Sequence, residues 1–151
     1  MFFKATCLQA GFILLGLWYP SFLGAADEAG EREVDNMHHF MEYVFEPRYK
    51  EIKETINLPP SKPGFKKIKS CGLTLAEAAN LLMRRTPEDA TEEEKLTWVR
   101  YARDVREHAA SLYQAAREKN HLKVVATYRQ TIGKCNACHQ QFADGKYQLS
   151  P

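Results

Sequence analysis

The stretch Glu92-Glu93-Glu94-Lys95-Leu96-Thr97-Trp98-Val99-Arg100-Tyr101-Ala102-Arg103-Asp104-Val105-Arg106-Glu107-His108-Ala109-Ala110-Ser111-Leu112-Tyr113-Gln114-Ala115-Ala116 decides the fold. Its residues Trp98, Ala102, Val105, Ala109, Leu112 and Ala116 step alternately by four and three, the rhythm of one face of an α-helix. Thr91 followed by Glu94 can form a capping box, so a helix is expected over about residues 92–119. Toward the C-terminus, Asn120 can cap a further helix from His121 to about Asp144. Its seam is Val125, Tyr128, Ile132, Cys135, His139 and Phe142, and Gly145 is its expected stop. Toward the N-terminus, Phe65, Ile68, Gly72, Leu75, Ala79 and Leu82 mark a helix over about residues 65–84. Thr86-Pro87-Glu88-Asp89 then reads as a short capped turn.

Asn57-Leu58-Pro59-Pro60-Ser61-Lys62-Pro63-Gly64 breaks the chain. Before it, Val34, Met37, Met41, Val44, Ile52 and Ile56 recur at helical spacing over about residues 31–56, with His38 and Phe45 at the edge of the stripe. Pro47 lies inside this stretch and should kink the helix or leave a gap in its hydrogen bonds. No run of alternating polarity suggests a strand. Four amphipathic helices with short connections imply an all-α fold, an antiparallel up-down-up-down four-helix bundle.

Composition bounds the rest. With 151 residues, 44% hydrophobic and 26% charged, the chain is one ordinary domain. Four cysteines are too few for a disulfide scaffold. A net charge of +2 gives no reason to expect a nucleic-acid partner. The opening Met1-Phe2-Phe3-Lys4, the apolar Gly11-Phe12-Ile13-Leu14-Leu15-Gly16-Leu17-Trp18 and the small residues Gly24, Ala25 and Ala26 read as a secretory signal peptide, removed after Ala26 or one residue earlier. The apolar run is interrupted at Pro20-Ser21 and is shorter than the roughly 20 residues that span a bilayer, which argues against an uncleaved anchor. The expected mature domain is residues 27–151, with no membrane span. It keeps Cys71, Cys135 and Cys138, an odd number that calls for a reason in an exported protein. Cys71 reads as a buried thiol, with an intermolecular disulfide as the alternative. The basic run Lys66, Lys67 and Lys69 reads as a solvated face that could steer an acidic partner.

Cys135-Asn136-Ala137-Cys138-His139 supplies that reason: it is the C-x-x-C-H pattern of covalent haem attachment. Residues i and i+3 share a helix face, so two thiols can add to two vinyl groups on adjacent pyrrole rings. The next residue offers an imidazole to the iron. Three other readings of the two thiols compete with it. Zinc would want a further ligand pair, and none stands at suitable spacing. A dithiol redox motif normally opens a helix after a strand. A disulfide between these two positions of a helix would be strained.

On these residues the chain resembles the class II c-type cytochromes, the group of the cytochromes c′ and their low-spin relatives. A leader, four amphipathic helices and a C-x-x-C-H near the chain end carry the resemblance over about residues 31–144. Only Cys135–His139 is specific; the rest is architecture. The resemblance implies one covalent haem c with thioethers at Cys135 and Cys138 and His139 as the fifth iron ligand. Tyr128 and Phe142 are expected to line the haem pocket. Within the family, a Met from the first helix as sixth ligand makes an electron carrier, whereas an apolar side chain there makes a five-coordinate, gas-binding iron. His139 stands about 27 Å along its helix from His121. The equivalent height on the antiparallel first helix is near position 39. Met37 and Met41 bracket it; Met41 is taken first, Met37 second, and His38 is the minority alternative.

The expected function is therefore electron transfer by an exported, periplasmic, bacterial monohaem cytochrome, not an enzyme, working with a redox partner protein. The alternatives are a cytochrome c′-like protein that binds NO or CO, and a helical interaction module whose thiols never receive haem. Cytochromes c′ often dimerise through their first two helices, so a homodimer is an assembly to test; Glu42, Glu46 and Lys50 do not by themselves decide it.

Overall fold

The structure, a computed structural model, describes residues 34–59 and 64–151. The expected leader over residues 1–26 lies outside them. Every regular element among the described residues is helical. The first helix, α1, is built of three segments: Met37–Phe40, a π-helical turn Met41–Phe45, and Glu46–Ile56. Then follow α2 over Phe65–Leu82, α3 over Glu92–Arg117 and α4 over His121–Phe142.

α1 begins later than its apolar pattern suggests. Asn36 caps it, its side chain accepting the His39 N–H at 2.9 Å. Asp35 accepts from Asn36 N–H at 2.7 Å and faces His39 Nδ1 at 2.9 Å. These contacts, the Asn36 N–H foremost, hold the Asp35 carboxyl below its ordinary range. Val34 precedes the helix and is fully exposed, so it is not part of the core stripe: an apolar residue at the right spacing does not join a helix that a cap starts after it.

The gap expected at Pro47 takes the form of the π turn. Proline has no N–H to give to Tyr43 O and crowds that carbonyl. The turn before it widens, and Glu46 N–H reaches back five residues to Met41 O. The widened turn puts Phe40 and Phe45 on one side, where both are buried with rings edge-to-face at 5.5 Å. Phe45 is thus core, not stripe edge, and Phe40 joins it. Met37, Met41 and Val44 are half-buried against the core cluster.

α3 follows its pattern throughout. Trp98, Ala102, Val105, Ala109, Leu112 and Ala116 are all buried, and Thr91 and Glu94 form the capping box. In α4, capped by Asn120, the buried residue of the first turn is Val124 rather than Val125. Thr127 and Thr131 are buried as well; each hydroxyl bonds a carbonyl one turn back, Lys123 O and Thr127 O, at 2.8 Å. A threonine so satisfied can occupy a seam that hydropathy alone would deny it.

Each helix packs on the next in sequence, and α4 also meets α1. Gly72 lets α2 and α3 approach closely, because a Cβ there would lie 3.2 Å from Tyr113 N and 3.3 Å from its Cα. Gly72→Leu is expected to lower stability by about 1–3 kcal/mol in thermal or urea unfolding, since backbone cannot yield as a side-chain tip can. Trp98 Nε1–H donates to Leu82 O at 2.8 Å, capping the end of α2. Its ring meets Phe142 edge-to-face at 5.0 Å. Arg85 lies over the Phe40 ring at 4.3 Å and donates to Asp35 O. One end of the molecule therefore gathers the start of α1, the end of α2, the start of α3 and the end of α4.

Cys71 is 2% exposed, the buried thiol expected from its position. It donates to Glu51 Oε2 at 2.9 Å, and burial first, then that carboxylate, pushes the thiol up to about 11. The same bond, ahead of Lys67 at 3.3 Å, holds Glu51 below its ordinary value. A carboxylate lowered on folding contributes stability that is complete above its unfolded value near 4.3 and is lost as pH falls through the folded value. Glu51 is 31% exposed, so solvent screens much of the effect. Glu51→Gln should modestly flatten the fall in stability below about pH 5 seen in acid denaturation of the parent.

Candidate functional site

The last turns of α4 bring Cys135, Cys138 and His139 together, as the spacing requires. Cys135 is half-buried against the core and Cys138 is 6% exposed. Both thiols are free rather than joined in a disulfide. Burial pushes Cys135 up to about 12, with Cys138 adding to it, and pushes Cys138 up to about 11. Both are neutral thiols at pH 7. Among the described residues no group of three or more His, Cys, Asp or Glu side chains converges to hold a metal ion.

His139 is half-buried. Its Nδ1 lies 2.9 Å from Tyr147 O. A carbonyl oxygen only accepts, so this contact places the proton on Nδ1 and leaves Nε2 with its lone pair. Loss of solvent lowers the imidazole's pKa, and the bond to Tyr147 O opposes that shift only in part. The ring is therefore a neutral donor at pH 7, the form that binds metals.

Tyr128 is fully buried on α4, and its hydroxyl donates to Tyr49 O of α1 at 3.2 Å. Burial foremost raises this phenol well above its ordinary value, and Tyr49 and Cys135 contribute. Tyr49, Tyr128 and Cys135 thus line one region between α1 and α4. Phe142 lies on the α3 side, against Trp98 and Tyr101 at 5.0 and 6.0 Å. Met37 and Met41 stand in the first turns of α1, half-buried on either side of buried Phe40. His38 is 67% exposed and faces Glu42 at 3.6 Å.

Sequence reasoning passed over Asn136, Tyr49 and the chain after α4. Asn136 stands at a freely variable position of C-x-x-C-H, and residues 146–151 carry no periodicity. Only the run of turn formers Asp144-Gly145 announced that the chain reverses there. Among the described residues no helix is long and apolar enough to cross a membrane. Comparison with protein-family models, with characterised proteins and with solved structures found no match to this chain.

Proposed function

We propose that this protein is an exported monohaem c-type cytochrome built as an antiparallel up-down-up-down four-helix bundle, like the class II cytochromes it resembles, and that it transfers electrons to and from a protein partner in the bacterial periplasm. The observation that carries the reading is the donor set at the end of α4. Two free thiols i and i+3 apart, followed by a neutral imidazole whose Nδ1 is committed to Tyr147 O, fit a covalently held haem. Cys135 and Cys138 would hold it through thioethers, and His139 Nε2 would bind its iron. Haem, when bound, supplies the one-electron ferric–ferrous couple. The protein's own part is to exclude water with the apolar cluster around Phe40, Phe45 and Trp98, to fix the imidazole and to set the potential.

The sixth position divides electron carriage from gas binding. The bond from Tyr128 to Tyr49, together with the start of α1 and the end of α4 lying at the end of the molecule where Trp98 meets Leu82, supports an α1 antiparallel to α4. Counting on from it by about 16 Å brings His139 level with about residue 38 of α1. Met41, and after it Met37, is the sulfur donor the electron-carrier reading requires. One observation favours the second reading: the side chain most buried at that level is Phe40, 8% exposed, an apolar group that would leave iron five-coordinate and open to NO or CO.

The test is the mass and visible spectrum of mature protein made in a host with haem-attachment machinery. A mass increased by one haem, with processing after Ala25 or Ala26, and low-spin bands support electron transfer. A high-spin spectrum that changes with carbon monoxide supports the gas-binding reading. A chain that acquires no haem there overturns both and leaves a helical interaction module.

A further inference from the structure

The chain after α4 folds back over His139 and is clipped in place. Ala143 N–H and Gly145 N–H both donate to His139 O, at 2.9 and 3.1 Å. Asp144, Gly145 and Tyr147 all take left-handed backbone, with φ of 51°, 72° and 60°. Three such residues within four reverse the chain and turn Tyr147 O toward His139 Nδ1 at 2.9 Å. Positive φ is uncommon for a bulky residue and needs surroundings that enforce it. Asn136 provides them. Its side-chain amide pairs with Leu149 in both directions, accepting Leu149 N–H at 2.8 Å and donating to Leu149 O at 2.9 Å. Lys53 of α1 then donates to Ser150 O at 3.0 Å and to Ser150 Oγ at 2.7 Å, and Leu149 packs against the core.

We propose that this C-terminal strap, held by Asn136 from inside the Cys135–His139 motif, positions the His139 imidazole: the Tyr147 carbonyl fixes the proton on Nδ1 and strengthens Nε2 as a donor. The inference rests on the haem reading above. A ring N–H given to a carbonyl increases the basicity of the opposite nitrogen, and such outer partners are worth about 10–100-fold in metal affinity. A stronger donor favours ferric over ferrous iron, so the strap holds the potential down. Asn136 and Tyr147 are positioning residues, since they act through His139.

Two substitutions at one position isolate the carbonyl. Tyr147→Gly removes the ring but adopts φ near +60° freely and keeps the carbonyl in place. Tyr147→Pro removes the same ring but fixes φ near −65°, which turns the carbonyl away. Asn136→Ala opens the clip without touching either cysteine or the histidine. The holoproteins are compared by midpoint potential and by NMR exchange of the His139 Nδ1 proton. Tyr147→Gly should match the parent in both. Tyr147→Pro and Asn136→Ala should lose protection of that proton and shift the ferric–ferrous equilibrium toward ferrous by on the order of tenfold, about 59 mV upward for one electron.

The inference is overturned if Asn136→Ala melts lower yet keeps the parent potential and proton protection, which is a purely structural role. It is also overturned if Tyr147→Gly shifts as far as Tyr147→Pro, which would assign the effect to the ring. If Tyr147→Pro does not accumulate, Asn136→Ala and Tyr147→Gly, each compared with the parent, decide between these results. Failure of the functional reading is distinct and appears earlier: parent protein without covalent haem overturns that reading and this inference together.

Discussion

Replacing both Cys135 and Cys138 by alanine is expected to abolish covalent pigment completely. The two sulfurs are the only groups at the end of α4 suited to thioether formation. The nearest other described thiol, Cys71, is buried on α2 and bonded to Glu51. Either single substitution leaves one attachment point and should give a haem that survives denaturation at reduced yield. The double variant should run as colourless protein on a denaturing gel, with a mass equal to the bare mature chain. Stability of the helices should change far less, by about 1 kcal/mol for the small buried Cys138 side chain, because little volume is lost. Pigment retained as firmly as in the parent would remove the basis of the proposed function.

Met41→Ala carries the second large expected effect. If the parent is low-spin, loss of this thioether should convert the spectrum wholly to high-spin and make it respond to carbon monoxide. Met37→Ala should leave the low-spin bands in place, since a Met that only packs against the cluster can be shortened without changing ligation. The same pair tests the gas-binding reading from the other side. If the parent is already high-spin, neither substitution should alter its spin state. Phe40→Ala should then ease entry of carbon monoxide, because Phe40 is the apolar side chain buried at that level of α1. A low-spin parent that keeps its spectrum in Met41→Ala and loses it in Met37→Ala would move the sixth ligand by one turn.

What the amino-acid pattern makes legible here follows the regularity of the backbone. α3 has no proline and no internal glycine, so its 3.6-residue period runs unbroken from the capping box at Thr91 to Ala116, and every seam residue is buried. α4 is read nearly as well; the slip from Val125 to Val124 arises because buried threonines share its seam. α1 defeats a single-period reading at Pro47, where a widened turn re-phases the stripe and buries Phe40 with Phe45. The grouping of Cys135, Cys138 and His139 on the last turns of α4 is legible because residues three and four apart share a helix face. Its surroundings are not. The approach of Tyr147 O to His139 depends on left-handed backbone at a tyrosine, for which no residue preference gives warning. Asn136 is silent for a related reason: a motif written with an x declares that position free, while here the side chain fastens the tail.

The wide turn at Met41–Phe45 makes α1 two rods spliced out of step. Replacing Pro47 by a residue that carries an N–H would let an ordinary helix run through with no residue lost, and everything upstream would rotate by about 100° relative to Tyr49 and Ile52. Met37, His38, His39, Phe40 and Met41 would then exchange places around the axis like stations on a dial. A lineage carrying this chain could change which side chain of these first turns faces the core by one substitution at Pro47, with none among the turned residues themselves.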